Sequence, residues 1–499
     1  MFQTLRNAWK IPELKSKLLF TLFIIVLYRV GASIVMPWVN PDLIAQQFAQ
    51  TGGNAFTWLN LLSGSALSRG TLFALSVSPY ITASIVVQLL TIAFKRLADW
   101  QKDGERGRKK ISALTRGITV GLALVTSIGY TMFLDTNGML IHVKNVATNA
   151  GQKVVTYSQY VTSTDALGQT TTTIAESSAL MYWLQLIALV LCFCAGASLI
   201  MWLAERINEY GIGNGISVIL FANIITSLPS ILTNLAKLCF QRGGVPAQNA
   251  DGERINRGLG AAFAEVANGQ VWQWIVGAIV FLAVIAILIA FTVLVVWFSN
   301  SERRIPVQYA KRVVGRKMYG GQSSNLPLKL DMTGVMPIIF ASSIVSILPT
   351  IAGFIPNTGF GKFVNNYLGM NSFPYLAIFM ILIFAFAYFY VSISFNPVEV
   401  ANNLQNNGGS VPGIRPGRPT IEYIKKILNR ITLLGAIFLC VLSGFPMIVN
   451  AVWYAIDGYG LADLAFSGSS LLIVVGVALE TYRQLEAQIT LRNYKGFLD

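Results

Sequence analysis

Apolar runs of membrane length alternate with short polar, charged or Gly- and Pro-rich breaks along nearly the whole chain. Crossing a hydrocarbon core of ~30 Å takes about 20 apolar residues in a helix. The pattern predicts ten such spans: 18–36, 72–94, 118–134, 179–203 and 212–232, then 271–299, 332–353, 373–395, 431–454 and 467–481. A polar stretch over 241–270 separates the two sets of five. An odd number of crossings in each half puts the halves in opposite orientations, so a related pair would form an inverted repeat. No strong internal sequence match accompanies that count. The expected fold is all-α and polytopic, with an N-terminal half over 1–240, an outer connection over 241–270 and a C-terminal half over 271–499.

One stretch breaks the pattern. The run from Phe56 to Phe94 opens with a short amphipathic piece through Leu62, followed by a patch of small residues and one charge, Ser63 to Gly70. Only near Leu72 does a full-length apolar helix begin. The first piece has about ten residues, half of what a crossing needs. Its backbone is tolerable at membrane depth only inside protein or beside water. Two arrangements fit: a re-entrant plug, or a helix lying flat at the outer interface.

Composition excludes a soluble multidomain protein. Of the 499 residues, 54% are hydrophobic and 12% charged, and the mean hydropathy is +0.58. The first apolar run has no small-residue cleavage site after it and is read as a retained helix, not a signal peptide. The net charge of +15 is explained first by topology. Most Lys and Arg fall on one side of the spans, including Lys10, Lys15, Arg106, Lys110, Arg303, Arg304, Lys311, Arg312, Arg415 and Arg483. The positive-inside rule makes that side cytoplasmic, with both termini on it. Cys192, Cys194, Cys239 and Cys440 sit in or beside apolar runs and read as packing; His142, the single histidine, sits in a polar loop without a catalytic partner.

Two basic loops exceed what topology needs. The segment 300–331 alternates β-branched and aromatic residues with charges and predicts a protruding hairpin. The segment 396–430 holds a bent tip with Pro412, Gly413, Pro416 and Gly417 around Arg415, as a docking point for a partner would. On the opposite side, a Thr-rich insert over 143–178 predicts a small β-hairpin between Val154 and Ile174.

Chemistry is nearly absent from the spans. Transporters and intramembrane enzymes carry ionisable residues there, whereas Arg29 is the notable one here. It is close enough to its helix end to snorkel or pair with a neighbour. No Walker-type loop, His-Glu-x-x-His or Gly-x-Ser-x-Gly occurs. A passive conduit driven from outside therefore fits better than a pump or enzyme. A secondary transporter with five-plus-five inverted architecture is the runner-up.

Several ordered motifs resemble the SecY family, the pore-forming subunits of the Sec protein translocase. They are Gly64 to Arg69, Pro79 to Ile85, Gly211-Ile212-Gly213-Asn214-Gly215-Ile216-Ser217, Tyr309 to Arg312, Asn325 to Lys329, Phe395-Asn396-Pro397 and Val411 to Gly417. The resemblance implies an hourglass pore between two five-helix halves. It places an apolar constriction at Val77, Ile81, Ile216, Leu220, Ile339 and Ile473. It makes the broken stretch a plug, with Leu59, Asn60, Leu61, Leu62, Ser63, Gly64, Ala66 and Leu67 in it. A lateral gate is implied between spans two and three and spans seven and eight. The resemblance also implies SecE and SecG as companions, and docking of the SecA ATPase or a ribosome at Arg303, Arg304, Lys311, Arg312 and Arg415. Unfolded preproteins and signal sequences would be the cargo, membrane lipid the lateral exit, and the bacterial inner membrane the location. No cofactor is implied. Val77 is smaller than the family's usual isoleucine and Leu220 differs in branching, and the inserts at 143–178 and 241–270 look longer than in familiar relatives.

Overall fold

The computed structural model describes residues 6, 8–50, 55–149, 152–164, 170–176, 178–240, 244–248, 254–257, 270–309, 312–314, 317–319, 323–332, 334–354, 358–368, 372–457 and 468–495. In chain order the helices are α1 (Pro12–Ser33), α2 (Pro41–Gln50), α3 (Ala55–Ser63), α4 (Ser78–Ala93), α5 (Lys95–Lys102), α6 (Glu105–Thr136), α7 (Ala179–Tyr210) and α8 (Gly215–Phe240). They continue as α9 (Gln270–Ser299), α10 (Met336–Phe354), α11 (Gly359–Tyr367), α12 (Phe373–Ser394), α13 (Pro397–Asn406), α14 (Arg418–Asp457) and α15 (Gly468–Lys495). Each of the ten apolar runs falls on one of these helices. Among the described residues six helices are long and apolar enough to cross a membrane, or seven if a bent pair counts as one span. The apolar parts of α8 and α10 are shorter, Gly215–Pro229 and Met336–Ala352.

Local chemistry sets the boundaries. Pro12 opens α1 and Pro79 sits in the first turn of α4, positions where a missing N–H costs nothing and the fixed φ helps. The α7 start is capped by Ser178, whose side chain accepts from the Met181 N–H, and α13 by Asn396, which accepts from Val398. Where α4 meets Lys95 and Arg96 the chain turns by 107° into α5, because cations leave the apolar layer.

The second span differs from expectation. Residues 72–77 form turns, and the helix begins only at Ser78. The reason is competition from tertiary pairing. Leu72 N–H donates to the Ile34 carbonyl (2.9 Å), Met36 N–H donates to the Gly70 carbonyl (3.0 Å), and Val35 bridges Thr71. A strand-like contact with the end of α1 thus uses the backbone groups a helix would need.

The strands lie outside the spans. The insert folds as a three-stranded antiparallel sheet of β1 (His142–Asn149), β2 (Gln152–Thr164) and β3 (Thr170–Glu176), ordered β1-β2-β3. The expected hairpin is β2 and β3, with Ser158 opposite Glu176 and Thr164 opposite Thr170. Its Asp165 to Gly168 break lies outside the described residues. His142 is not in a loop: it starts β1, is buried, and its backbone N–H and carbonyl both bond the Gln185 amide (3.1 and 3.2 Å). Between the halves, β4 (Gly244–Gln248) pairs with β5 (Arg254–Arg257).

The first basic loop is the expected hairpin: β6 (Glu302–Tyr309) pairs with β9 (Ser323–Lys329), with β7 (Arg312–Val314) and β8 (Lys317–Tyr319) paired between them. A two-residue strand of the other basic loop, β10 (Gly409–Ser410), adds to the free edge of β6.

The chain divides into two compact units. The first holds Met1–Ser230, Ser343–Tyr375 and Glu480–Asp499; the second holds Ile231–Ser342 and Leu376–Leu479. In the first, a core of Met36, Val39, Leu67, Tyr130, Leu189, Phe193 and their neighbours joins α1's exit, the broken stretch, α6 and α7. In the second, Ile305, Val307, Leu328, Leu404, Val411 and Ile431 form a core beneath the β6–β9 sheet. Burying these side chains, each at about 1.5–3 kcal/mol, dominates what holds these layers.

Candidate channel site

The site is built around the broken stretch. After the nine residues of α3 the chain turns at Gly64 and Ser65, which have φ of 63° and 68°, and makes one 3₁₀ turn at Leu67–Arg69. Gly64 suits the left-handed region; Ser65 and Ser76 (φ 52°) occupy it at a steric cost. Self-bonding closes the turn: Asn60 accepts at its carbonyl from Ser65 N–H (2.9 Å) and at its side-chain oxygen from Ser68 N–H (3.0 Å). Ser63 Oγ accepts from Leu67 N–H (3.1 Å) and donates to the Asn60 carbonyl (2.9 Å).

Surrounding helices hold the same stretch. Asn223 on α8 donates to the Leu62 carbonyl (2.6 Å) and to Tyr28 Oη on α1 (2.9 Å). Ser76 Oγ donates to that same Leu62 carbonyl (3.0 Å), and Tyr130 Oη on α6 donates to the Leu67 carbonyl (2.7 Å). Arg29 neither snorkels nor faces lipid alone: it donates to the Ala222 carbonyl and lies 5.8 Å from the Tyr28 ring centre. A Cβ on Gly64 would meet its guanidinium at 2.7 Å. Leu61, Leu62, Ser63, Ala66 and Leu67 are buried, while Leu59, Asn60 and Gly64 are half-buried. The stretch is embedded among helices of the first unit and does not lie flat on a surface. Backbone carbonyls at helix ends need such donors wherever water is excluded.

The six constriction candidates fall as two pairs and two singles. Val77 caps α4 and Ile81 lies one turn on, both buried. Ile216 and Leu220 stand one turn apart on α8, the first half-buried and the second buried. These four belong to the first unit. Ile339 on α10 and Ile473 on α15, both buried, belong to the second. There the turn leading into α10 comes close to α15, since a Cβ on Gly476 would meet Val335 at 2.5 Å. All six are aliphatic and offer no polar group, so whatever they line excludes water and ions without reading a sequence.

Of the docking candidates, Arg303 and Arg304 are exposed on β6, and Arg304 is drawn to Glu302 (2.7 Å). Arg415 is exposed at a tip where Gly413 and Gly417 take φ of 80° and 98°, and its carbonyl accepts from Thr420 Oγ1 (3.0 Å). The β6–β10 pairing brings both loops into one sheet, which neither loop's sequence predicts. Arg312 starts β7 opposite Tyr319, and Lys311 lies outside the described residues.

Tyr28, Ser76, Tyr130 and Asn223 belong to none of the sequence motifs. The available signal was Asn223 itself, an amide inside the apolar run Val218-Ile219-Leu220-Phe221-Ala222-Asn223-Ile224-Ile225. Such a group demands a partner when buried.

A helical chain with several membrane-length apolar helices enclosing a buried, broken half-helix is a multi-pass membrane protein of the channel class. The SecY family model matches residues 71–482. A protein translocase subunit SecY of Streptomyces galbus is 38% identical over 503 residues, covering 100% of both chains. Two solved structures share the fold. One is a SecY, a protein whose plug domain is described as stabilising the closed state of the translocation channel and maintaining a membrane seal (TM-score 0.53, 16% identity, 95% of this chain and 92% of that one). The other is Sec61 in the canine ribosome–channel complex (TM-score 0.50, 14% identity, 95% and 92%). The chain belongs to the SecY family, whose members are the channel subunits of protein translocases.

Proposed function

We propose that the chain is the central subunit of a bacterial Sec translocon, passing unfolded preproteins across the plasma membrane and releasing hydrophobic segments sideways into lipid. The observation that carries this reading is the half-length helix over 55–63 and the turn that follows it, embedded with its Leu62 carbonyl bonded by Asn223 on α8 and its Leu67 carbonyl by Tyr130 on α6. In this reading the stretch is the plug. Val77, Ile81, Ile216, Leu220, Ile339 and Ile473 form one ring between an N-terminal half over 1–240 and an inverted C-terminal half over 271–499. Ten crossings leave both termini in the cytoplasm, supported by the distribution of Lys and Arg. The lateral gate lies between spans two and three and spans seven and eight.

The subunit works with SecE and SecG, and the force comes from SecA or a translating ribosome. The solved Sec61 bound to a ribosome supports the second of these. The landing surface is the sheet shared by the two basic loops, with Arg303, Arg304, Lys311, Arg312 and Arg415 on or beside it. The chain itself is not an enzyme. Family membership weighs against the secondary-transporter alternative.

The test is to stall an export substrate in the channel and place single cysteines at Val77 and Ile473. Crosslinking of the nascent segment to both positions is expected. Crosslinking to neither, while the substrate still crosses, sinks the ring.

A further inference from the structure

The broken stretch is held at one point by an arrangement that ordinary packing does not require. Asn223 is fully buried, and its amide nitrogen divides its two protons between the Leu62 carbonyl (2.6 Å) and Tyr28 Oη (2.9 Å). Its amide oxygen has no hydrogen-bond partner. The amide is therefore anchored by its donor side alone, and one of those donations is to the stretch. Tyr28 is fixed in turn by stacking on Phe73 (centroids 5.3 Å apart, planes 11° apart), and that ring fills the space beside Gly31. Leu62's carbonyl, the acceptor, lies next to the two strained left-handed turns: it also accepts from Ser76, and Ser65 follows three residues on. Gly64 leaves no room for a side chain against Arg29 and Asn223.

We propose that Asn223 is the latch of this stretch. Its side-chain amide, positioned by Tyr28, holds the Leu62 carbonyl and keeps the left-handed backbone at Gly64, Ser65 and Ser76 in place. Releasing that donor leaves the Leu62 carbonyl with the Ser76 hydroxyl alone (3.0 Å) and lets the strained turns relax. A peptide carbonyl buried at that depth is costly when a donor is lost, and Asn223 supplies the shorter of the two bonds to it. Losing the Asn223 donor therefore shifts the balance from the seated toward the displaced stretch. A second tie, Tyr130 to Leu67, lies five residues further along and acts as a pivot. This inference rests on the plug reading, and it adds the residue that sets how often the plug leaves.

The test uses the purified channel complex in planar bilayers and vesicles, without substrate. Leu61→Cys, buried at rest, is introduced in a background whose four native cysteines are replaced, and its labelling by a membrane-impermeant thiol reagent is timed. Asn223→Leu keeps the volume and removes the donors. It should raise both the labelling rate and the resting ion conductance about tenfold, corresponding to about 1.4 kcal/mol, the scale of one neutral hydrogen bond. Tyr28→Phe, which keeps the ring stack and loses the phenol, should raise both about threefold. Ser127→Ala, a buried hydroxyl that bonds only within α6 (2.6 Å to Ala123), should change neither. If Asn223→Leu and Tyr28→Phe both label at the parental rate, the latch is wrong. If residues 59–69 are deleted and resting conductance stays parental, the plug reading falls instead, and the labelling rates then decide the latch alone.

Discussion

The broken stretch over 55–77 and the basic-loop sheet of β6, β9 and β10 both interrupt the run of long helices, yet they are held by opposite means. The sheet rests on a regular ladder, Glu302 opposite Lys329 through Gln308 opposite Ser323, with Gly409 and Ser410 extending it. Its inward side chains Ile305, Val307 and Leu328 are buried, while Arg304 on the other face and Arg303 near the end of the strand meet solvent. The stretch has few ladder bonds. It is held by single side-chain donors from Asn223, Ser76 and Tyr130 and by residues in left-handed backbone. A ladder fails only as a whole, whereas isolated donors can be released one at a time. Under the function proposed above, the first design suits the landing surface and the second the plug.

Three substitutions break or sharpen that contrast. The largest stability effect is expected from Ile305→Ala, which opens a cavity under the sheet and costs about 2–5 kcal/mol. Thermal unfolding and proteolysis of the 300–331 hairpin should report it, with resting conductance unchanged; a leaky channel from this variant would erase the division between platform and moving part. Next comes Gly196→Ala on α7, where a Cβ would run into the Leu72 carbonyl. Overpacking there should cost about 1–3 kcal/mol and speed thiol labelling at Leu61→Cys, leaving motor binding intact. Labelling at the parental rate would mean that the 72–77 turns are not part of the seat. The smallest stability effect, within about 0.5 kcal/mol, belongs to Arg415→Glu at an exposed tip. Its functional effect is nonetheless expected to be loss of SecA-driven export from a normally inserted protein, and normal export would remove Arg415 from the docking surface.

Much of this was legible in the chain. The ten apolar runs, the β2–β3 hairpin and the hairpin over Glu302–Lys329 follow from period and propensity, which act over a few residues. The start of the second span did not, because the pairing of residues 34–36 with 70–72 overrides the helical preference of 72–77. His142 was misread for a related reason: Gln185, far along the chain, takes both of its backbone groups.

By itself the sequence determined that this is a multi-pass helical membrane protein with a half-length interruption and two basic loops, since apolar length and charge bias are local sums along the chain. Only the tertiary structure decided that the interruption is embedded and not spread on a surface, that an amide on α8 bonds both one of its carbonyls and a phenol on α1, and that the two basic loops share a sheet. Hydrogen bonds between residues 160 to 200 positions apart leave no periodic trace. They exist because a buried polar group must find a partner wherever the fold supplies one.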